Sequence, residues 1–397
     1  MDKTPRTVER LRIAWSALFS EIALSLMGYG PLRALPPPRI APPSGIARLE
    51  DLWLHIESIP REDRHESAFT STIRMARGDL RRKLSDQLAG MAGVGPTPRD
   101  FQVIHEAMPS PRAPLHALFH TAGPARPIVI VVHGLYDSKL SRYVALLADV
   151  LVRQGLGVLV PDMRWHGRLL SQDWLPTLGI EEALDLLEWG QWLQRSLSGC
   201  PVGLLGFSLG ALDVIHAISR EASAEVFQAG GIAVSPPASL GRTLQILDER
   251  ARLSDLGLDA FLRMFFQEAL GTRMKALGLD GDGERLFVRL LNWLVGRLAM
   301  GPDLTTARFL DLADPHSLLP ACRRPLLILA SRYDPIYREQ TSATLVEKAK
   351  GNPFVRVIET PGGGHMGHPG CYPQWMADIL NQFYGLTPDV SAIRVDL

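Results

Sequence analysis

The sequence predicts an α/β fold with parallel strands, and three observations support the prediction. Strand-like apolar runs recur at 127–132, 201–205 and 325–331, and the last has the composition of a strand buried on both faces. Apolar residues at helical spacing follow at 211–220. A glycine-flanked turn at 206–210 joins the second run to that helix, so strand, turn and helix come in the order of an α/β unit.

Residues 1–99 are predicted to form a helical extension with a proline-rich connector, ahead of an α/β domain at 100–397. Residues 11–27 are apolar except for polar positions that mostly recur four apart, which is typical of a helix with one polar side. The segment is slightly short and of mixed charge for a membrane span, and it lacks the cleavage site of a secretory signal. It is expected to pack on the core or on a partner subunit, with an anchor at a membrane surface as the alternative. Further helices are predicted at 45–58 and 66–88.

Ser208 stands at the centre of the turn at 206–210 and is the candidate nucleophile. The residue at the apex of a tight strand-to-helix turn takes a strained backbone conformation, and glycines two positions before and after it prevent Cβ clashes. The motif is weak by itself, because an isolated serine is most often only a small turn residue. A base and an acid are therefore needed elsewhere in the chain.

Asp334 and His365 supply the groups that a serine nucleophile needs, in the chain order nucleophile, acid, histidine. Asp334 follows the run at 325–331, and Pro335 keeps it out of a helix. His365 lies in a glycine-rich loop after another strand-like run at 354–359. We therefore predict that His365 is the base and that Asp334 orients it.

Both residues have an alternative interpretation. Asp334 has the residue type that caps helix ends, and a helix is predicted at 339–350. His368 competes with His365 for the role of base, and the two form a His-x-x-His pattern. The pattern lacks the glutamate and the helical setting of a zinc peptidase motif, so no metal is expected.

The run at 127–132 ends in His133, Gly134 and Leu135. The backbone amides of Leu135 and Leu209 are predicted to bind the oxyanion that develops when a serine attacks a carbonyl. His133 is expected to shape this loop rather than to transfer protons.

The His-Gly pair at 133–134, the turn around Ser208, Asp334 and His365 together resemble the alpha/beta-hydrolase superfamily, over roughly the last three quarters of the chain. The resemblance implies an eight-stranded, mostly parallel sheet with helices on both faces and catalytic groups on loops at its carboxyl edge. The motifs look like those of the esterase and acyltransferase branch that acts on medium-chain acyl groups.

Substrate contacts are expected from His133, Gly134, Tyr136, Phe207 and Trp165. Trp165 stands where the superfamily commonly has a second glycine and is expected to narrow the pocket. At 237–315 a mainly helical insertion interrupts the alternation of strands and helices, where the superfamily carries its lid. Its apolar residues predict either an apolar underside over the serine or ordinary helix packing. An apolar lid favours an uncharged acyl ester or thioester.

The composition fits a globular enzyme. The chain has 397 residues, enough for one large core, and its 42 basic residues equal its 42 acidic residues, so nothing favours nucleic acid or an anionic surface as partner. Three scattered cysteines argue against a disulfide framework and favour a reducing, cytoplasmic setting. The expected chemistry requires no metal or organic cofactor.

These observations predict a serine hydrolase of carboxylic esters with a medium or longer apolar acyl group. Acyl transfer and thioester hydrolysis use the same residues and remain alternatives. From another class, the chain is either a non-catalytic member of the fold that binds an apolar ligand or a membrane-associated scaffold docked through residues 11–27.

Overall fold

The computed structural model describes residues 37–40, 48–61, 102–104, 117–121, 126–135, 137–139, 142–166, 176–197, 199–220, 225–250, 286–297, 304–332, 334, 342–361, 365 and 368–385. These residues contain an eight-stranded sheet in the order β1-β2-β4-β3-β5-β6-β7-β8. The strands are β1 (Gln102–Ile104), β2 (Ala117–His120), β3 (Ile128–Val132), β4 (Gly157–Pro161), β5 (Val202–Phe207), β6 (Gly231–Val234), β7 (Leu326–Ser331) and β8 (Val355–Thr360). Strand β2 is antiparallel to both of its neighbours, and the strands from β4 to β8 are parallel. The mostly parallel sheet predicted from the sequence is confirmed.

Helices cover both faces of this sheet. They are α1 (Leu49–Ser58), α2 (Arg142–Arg153), α3 (Ile180–Ser196), α4 (Leu209–Ile218), α5 (Leu240–Arg250), α6 (Leu286–Arg297), α7 (Thr306–Ala313), α8 (Ser342–Ala349), α9 (His368–Cys371) and α10 (Pro373–Gly385). Two short 3-10 helices, Pro315–Ser317 and Leu319–Ala321, precede β7. Among the residues that the structure describes, none of the helices has the length and apolar character needed to cross a membrane.

The sheet is buried on both faces, which explains the continuous apolar runs in the sequence. In β3, Val129 and Val131 join an apolar cluster that also contains side chains of α1, α2 and α10. Ile130 and Val132 point the other way, into a cluster with side chains of α3, α4 and α8. Side chains alternate between the faces of a strand, so a strand covered on both sides has to be apolar at every position.

Helix α1, which belongs to the predicted N-terminal extension, packs on α10. Leu52 and Ile56 are fully buried. The Trp53 ring lies 6.3 Å from that of Phe383, and its indole N–H donates a hydrogen bond to the carbonyl of Pro353 at 2.8 Å. Part of the extension therefore shares the core of the α/β domain. The predicted helices at 11–27 and 66–88, and most of the proline-rich connector, lie outside the described residues.

Replacing Trp53 by alanine is expected to destabilise the whole domain by about 3–5 kcal/mol, because a large buried side chain and its hydrogen bond are lost. Leu54 on the same helix is 65% exposed, so Leu54→Ala is the matched control and is expected to change the free energy of unfolding by less than about 0.5 kcal/mol. Urea unfolding of both variants makes the comparison. Small and equal changes in the free energy of unfolding for the two variants would show that α1 does not contribute to the core of the domain.

The predicted insertion at 237–315 contributes α5, α6 and α7 to the described structure. Leu294 of α6 and Phe309 of α7 are fully buried. The ends of the insertion are fixed by Lys348 of α8, whose ammonium group lies 3.3 Å from the carbonyl of Ala238 and 3.7 Å from the carboxylate of Asp314. The role of the insertion as a lid remains a prediction.

His216 of α4 gives the fold a dependence on pH. Its ring donates a hydrogen bond from Nε2 to the carbonyl of Ala313 at 3.0 Å. Burial lowers the pKa of His216 from 6.5 to about 4, although the hydrogen bond to the Ala313 carbonyl acts in the opposite direction. Between these two pKa values the unfolded chain binds a proton that the folded chain does not, so stability falls as the pH falls.

We expect the contribution of His216 to be complete above about pH 6.5 and to be reduced by about 2 kcal/mol near pH 5. A His216→Leu variant lacks this pH-dependent contribution to stability. Denaturant unfolding of both proteins near pH 7 and near pH 5 tests the expectation: the stability difference between them should shift by about 2 kcal/mol in favour of the variant at the lower pH. A difference independent of pH would contradict it.

Candidate active site

Ser208 occupies the turn between β5 and α4 in a strained conformation. Its φ and ψ are 55° and −116°, outside the regions that L-residues prefer. Its backbone N–H donates a hydrogen bond to the carbonyl of Val234 at 2.9 Å, which ties the turn to the neighbouring strand β6. Strain of this kind persists only where surrounding structure enforces it, and it is concentrated at functional sites.

Glycines on either side of Ser208 make the sharp turn sterically feasible. A Cβ at Gly206 would lie 2.1 Å from the carbonyl oxygen of Gly210. A Cβ at Gly210 would lie 2.4 Å from the carbonyl oxygen of His133 and 2.6 Å from that of Val132. All three distances are far below van der Waals contact, so only glycine lets β5, α4 and the loop after β3 come this close.

The structure brings Ser208, His365 and Asp334 together in one chain of hydrogen bonds. Nε2 of His365 lies 2.7 Å from Oγ of Ser208, and Nδ1 lies 2.8 Å from Oδ2 of Asp334. His365 and Asp334 are only 1% and 2% exposed, while Ser208 is partly accessible. The three residues follow β5, β7 and β8, whose carboxyl ends meet at one edge of the parallel sheet.

The Asp334 carboxylate accepts a hydrogen bond from His365, as the proposed role requires. The next helix among the described residues is α8, Ser342–Ala349, and the capping alternative for Asp334 lies on residues outside the described ones. Another carboxyl group, that of Asp213, lies on α4 a few residues beyond the serine. Complete burial, together with the nearby carboxylates of Glu182 and Asp185, raises the pKa of Asp213 well above its ordinary value. Asp213 does not belong to the chain of hydrogen bonds that joins Ser208, His365 and Asp334.

His368 takes no part in this chain of hydrogen bonds. Its Nε2 lies 2.9 Å from Oγ1 of Thr360, and the ring is fully buried. Burial lowers its pKa from 6.5 to about 4, with further influence from the charges of Asp334, His365 and Arg61. The two histidines thus have different partners: His365 is hydrogen-bonded to Ser208, and His368 is hydrogen-bonded to Thr360. The described residues contain no group of three or more side chains arranged to hold a metal ion.

His133 fixes the loop after β3 through both of its ring nitrogens. Nε2 accepts a hydrogen bond from the N–H of Met163 at 3.1 Å, so the ring proton is on Nδ1, which donates to the carbonyl of Gly134 at 2.9 Å. Both nitrogens of this neutral ring are therefore engaged in hydrogen bonds to the backbone, as expected for a side chain that shapes the loop. A Cβ at Gly134 would lie 3.4 Å from the Cβ of Ser208, so the loop is in contact with the serine.

Four residues that the sequence interpretation missed complete the support of this loop. The Tyr143 hydroxyl accepts from the N–H of Gly134 at 2.7 Å and donates to the Asp137 carboxylate at 3.1 Å. The Lys139 ammonium pairs with the Asp162 carboxylate, which also accepts from the backbone N–H of Lys139 at 3.0 Å. All four side chains are buried. Because the N–H of Gly134 is already engaged, the oxyanion role predicted for the next amide, that of Leu135, is compatible with the geometry.

Leu209 is the first residue of α4, directly after the serine. The first N–H groups of a helix have no partner within the helix and carry partial positive charge. A developing negative charge beside Ser208 would therefore face favourable dipoles. The oxyanion roles of Leu135 and Leu209 remain predictions.

The predicted substrate contacts fall into three groups. Phe207 is fully buried with its ring 5.5 Å from that of Tyr143, and Trp165 is 1% exposed within the core. As they lie here, these side chains support the loops and offer no surface to a substrate, which differs from the expectation. The φ of 62° at Trp165 gives a reason why glycine suits this position. His133 and Gly134 line the loop itself, and Tyr136 lies outside the described residues.

Comparisons with known proteins give the family and the fold of this chain. The model of a family described as "Alpha/beta hydrolase family" matches residues 129–379. A search of curated proteins gave no match. Among solved structures, the esterase Pf2001 of Pyrococcus furiosus is similar with a TM-score of 0.51 and 20% identity, over 72% of this chain and 90% of that one. At that identity the likeness shows the fold.

Two further solved structures have lower scores. The proline iminopeptidase of Mycobacterium smegmatis has a TM-score of 0.44 at 18% identity, over 74% of this chain and 99% of that one. Est1E from Butyrivibrio proteoclasticus has a TM-score of 0.42 at 17% identity, over 72% and 98%.

Proposed function

The chain belongs to the alpha/beta hydrolase family, and from this premise we propose that it is a serine hydrolase of carboxylic esters that acts through an acyl-enzyme on Ser208. The observation that carries the proposal is the continuous chain of hydrogen bonds from the Ser208 hydroxyl through His365 to the Asp334 carboxylate, at 2.7 Å and 2.8 Å. A serine hydroxyl is barely nucleophilic at neutral pH unless a neighbouring base removes its proton.

In the proposed reaction, Oγ of Ser208 attacks the acyl carbonyl while Nε2 of His365 takes the hydroxyl proton. Asp334 accepts the hydrogen bond from Nδ1–H, which holds the tautomer that leaves Nε2 free to act as a base and stabilises the imidazolium. The carbonyl oxygen becomes an oxyanion beside the backbone amides of Leu135 and Leu209, and hydrogen bonds from both would lower the barrier.

Collapse of the tetrahedral intermediate expels the alcohol, which takes the proton from Nε2 of His365. Water then attacks the acyl group on Ser208 with the same histidine as base, and the acid leaves. Nε2 of His365 carries the proton in every step. The proposed reaction therefore uses the side chains of Ser208, His365 and Asp334.

An apolar acyl group is the substrate that the surroundings of the serine favour. Leu209, next to the nucleophile, belongs to the same apolar cluster as Leu290 and Leu294 of α6 and Phe309 of α7, and Leu135 packs against that cluster. An acyl chain bound beside Leu135 and Leu209 would lie against the edge of this apolar cluster. Each methylene group transferred from water to such surroundings contributes about 0.8 kcal/mol.

The test is hydrolysis of p-nitrophenyl esters of increasing acyl length by the full chain. The proposal predicts turnover, with kcat/KM rising from acetyl to medium-length chains. An optimum at acetyl would contradict the apolar acyl preference, and absence of hydrolysis over the whole series would contradict esterase activity.

Parallel reactions separate the alternatives that share the same residues. Faster cleavage of acyl thioesters would indicate a thioesterase, and formation of a new ester in the presence of an added alcohol would indicate acyl transfer. Cleavage of amino-acyl p-nitroanilides but not of esters would indicate a peptidase. Binding of an apolar ester that is recovered unchanged would indicate a non-catalytic member of the fold.

A further inference from the structure

His368 is a buried, polar side chain that the proposed mechanism does not use. Thr360 donates its hydroxyl hydrogen to the carbonyl of Ala330 at 3.3 Å, so its oxygen can accept a hydrogen bond from Nε2–H of His368 at 2.9 Å. Thr360 and His368 are both fully buried. Nδ1 of His368 has no hydrogen-bond partner among the residues that the structure describes. A buried nitrogen without a partner is unfavourable, and a leucine would pack here without that cost.

The two residues stand at the two ends of the loop that carries His365. Thr360 is the last residue of β8, and His368 is the first of α9. Between them lie seven residues, of which four are glycines. Glycine loses more conformational freedom on ordering than any other residue, so the sequence of this loop does little to fix its own shape. A hydrogen bond across its base restricts the loop from outside.

Thr360 is also joined to the loop that carries Asp334. It lies opposite Ser331, the last residue of β7, and its carbonyl accepts from the N–H of Arg332 at 2.9 Å. The residue that holds one end of the histidine loop therefore also holds the start of the acid loop. His365 has to form hydrogen bonds with Asp334 and Ser208 at the same time. The relative position of the two loops therefore determines whether both hydrogen bonds can form.

A neutral side chain is required at this place. Asp334 is close enough to influence the pKa of His368, and a cation there would compete with His365 for the Asp334 carboxylate. Burial keeps the imidazole uncharged. Neutral histidine therefore supplies an N–H donor at the base of the loop without disturbing the ion pair that forms during the reaction.

We propose that the Thr360–His368 hydrogen bond is a latch that positions His365 between Ser208 and Asp334, which makes Thr360 and His368 positioning residues for the reaction. The inference rests on the proposed function for its effect on rate, but its effect on the geometry of His365 is independent of turnover.

The test compares Thr360→Val, which removes the acceptor and keeps the shape, with Thr360→Ser, which keeps the hydroxyl. Misplacement of a reacting group by about 1 Å lowers rates by up to about 10²-fold, so Thr360→Val is expected to lower kcat by about 10- to 100-fold with KM little changed. Thr360→Ser is expected to stay close to the parent protein. His216→Leu, which removes another buried histidine far along α4, is expected to lower stability and keep kcat.

A second readout does not need a substrate. We expect the proton between Nδ1 of His365 and the Asp334 carboxylate to give a separate downfield proton resonance. This resonance should be retained in Thr360→Ser and His216→Leu and lost or broadened in Thr360→Val. Failure of the proposed function would appear as a parent protein that shows the resonance and hydrolyses no ester. The inference would be overturned if Thr360→Val lowered the stability of the protein but left kcat, or the resonance, unchanged.

A pair of variants at the other residue covers the case in which Thr360→Val does not fold. His368→Gln keeps an N–H donor and His368→Leu removes it, so kcat and the resonance should be partly retained in the first and reduced in the second. Equal behaviour of the two would overturn the proposal. In a protein that combines Thr360→Val with His368→Leu, the loss of kcat should be no larger than in either single variant, because both remove one interaction.

Discussion

Ser208→Ala is expected to lower kcat/KM for p-nitrophenyl esters by about 10⁵- to 10⁶-fold, since it deletes the only oxygen that the mechanism allows to attack the acyl carbonyl. The fold should survive the change. The turn is set by the glycines at 206 and 210 and by the hydrogen bond from the Ser208 backbone to Val234, none of which needs the hydroxyl. Steady-state kinetics and thermal unfolding of the purified variant give both quantities.

Ser235 provides the matched control for this experiment. It follows β6, the strand next to β5, is 2% exposed, and has a positive φ of 51° like that of Ser208. Ser235→Ala therefore removes a hydroxyl from a similar backbone setting outside the proposed mechanism, and kcat/KM should change by less than about threefold. Hydrolysis that persists in Ser208→Ala would show that another group is the nucleophile.

Asp334→Asn is expected to lower kcat by about 10⁴-fold. The amide has nearly the shape of the carboxylate, but its NH₂ group can donate to the histidine. This would favour the tautomer with its proton on Nε2, which cannot accept the proton of Ser208. The loss of negative charge also removes the stabilisation of the imidazolium. Substrate binding does not involve Asp334, so KM should change little.

Asp213→Asn distinguishes this effect from a general cost of replacing a buried carboxyl group. Asp213 is also a buried carboxyl group, but it lies outside the chain of hydrogen bonds from Ser208 to Asp334, so asparagine should replace it with little effect on kcat. Both variants are measured at the same pH with the same ester. A similar loss of kcat in the two would contradict the specific role of Asp334.

The parts of the site that could be predicted from the sequence depend on local motifs at strand ends. Ser208, Asp334 and His365 each follow an apolar run, and in a parallel sheet the carboxyl ends of such runs meet at one edge. His365 is predicted as the base from its place in a glycine-rich loop after a strand-like run, and its Nε2 lies 2.7 Å from the Ser208 hydroxyl.

Several supporting contacts could not be predicted, because they join residues that are far apart in the chain. The pairs Lys139–Asp162 and Arg164–Asp185 are buried and bring together positions more than twenty residues apart. A single charged residue in a sequence gives no sign that it will be buried with a partner. The docking of α1 on α10 is a further case, because an amphipathic helix shows which face it buries and not what covers that face.

Phe207 shows that a residue next to the nucleophile in the sequence motif need not face the substrate. A residue next to the nucleophile invites the interpretation of a substrate contact, yet side chains along a strand alternate in direction. Phe207 ends β5 and points into the core against Tyr143, where it supports the ring whose hydroxyl holds Gly134. Its contribution to the site is indirect.

The most direct test of the account is to treat the full chain with a fluorophosphonate and locate the adduct by mass spectrometry. We expect a single adduct on Ser208, formed much more slowly in Asp334→Asn and absent in Ser208→Ala. No adduct in the parent protein, or an adduct on a different residue that persists in Ser208→Ala, would contradict the claim that His365 and Asp334 activate this serine.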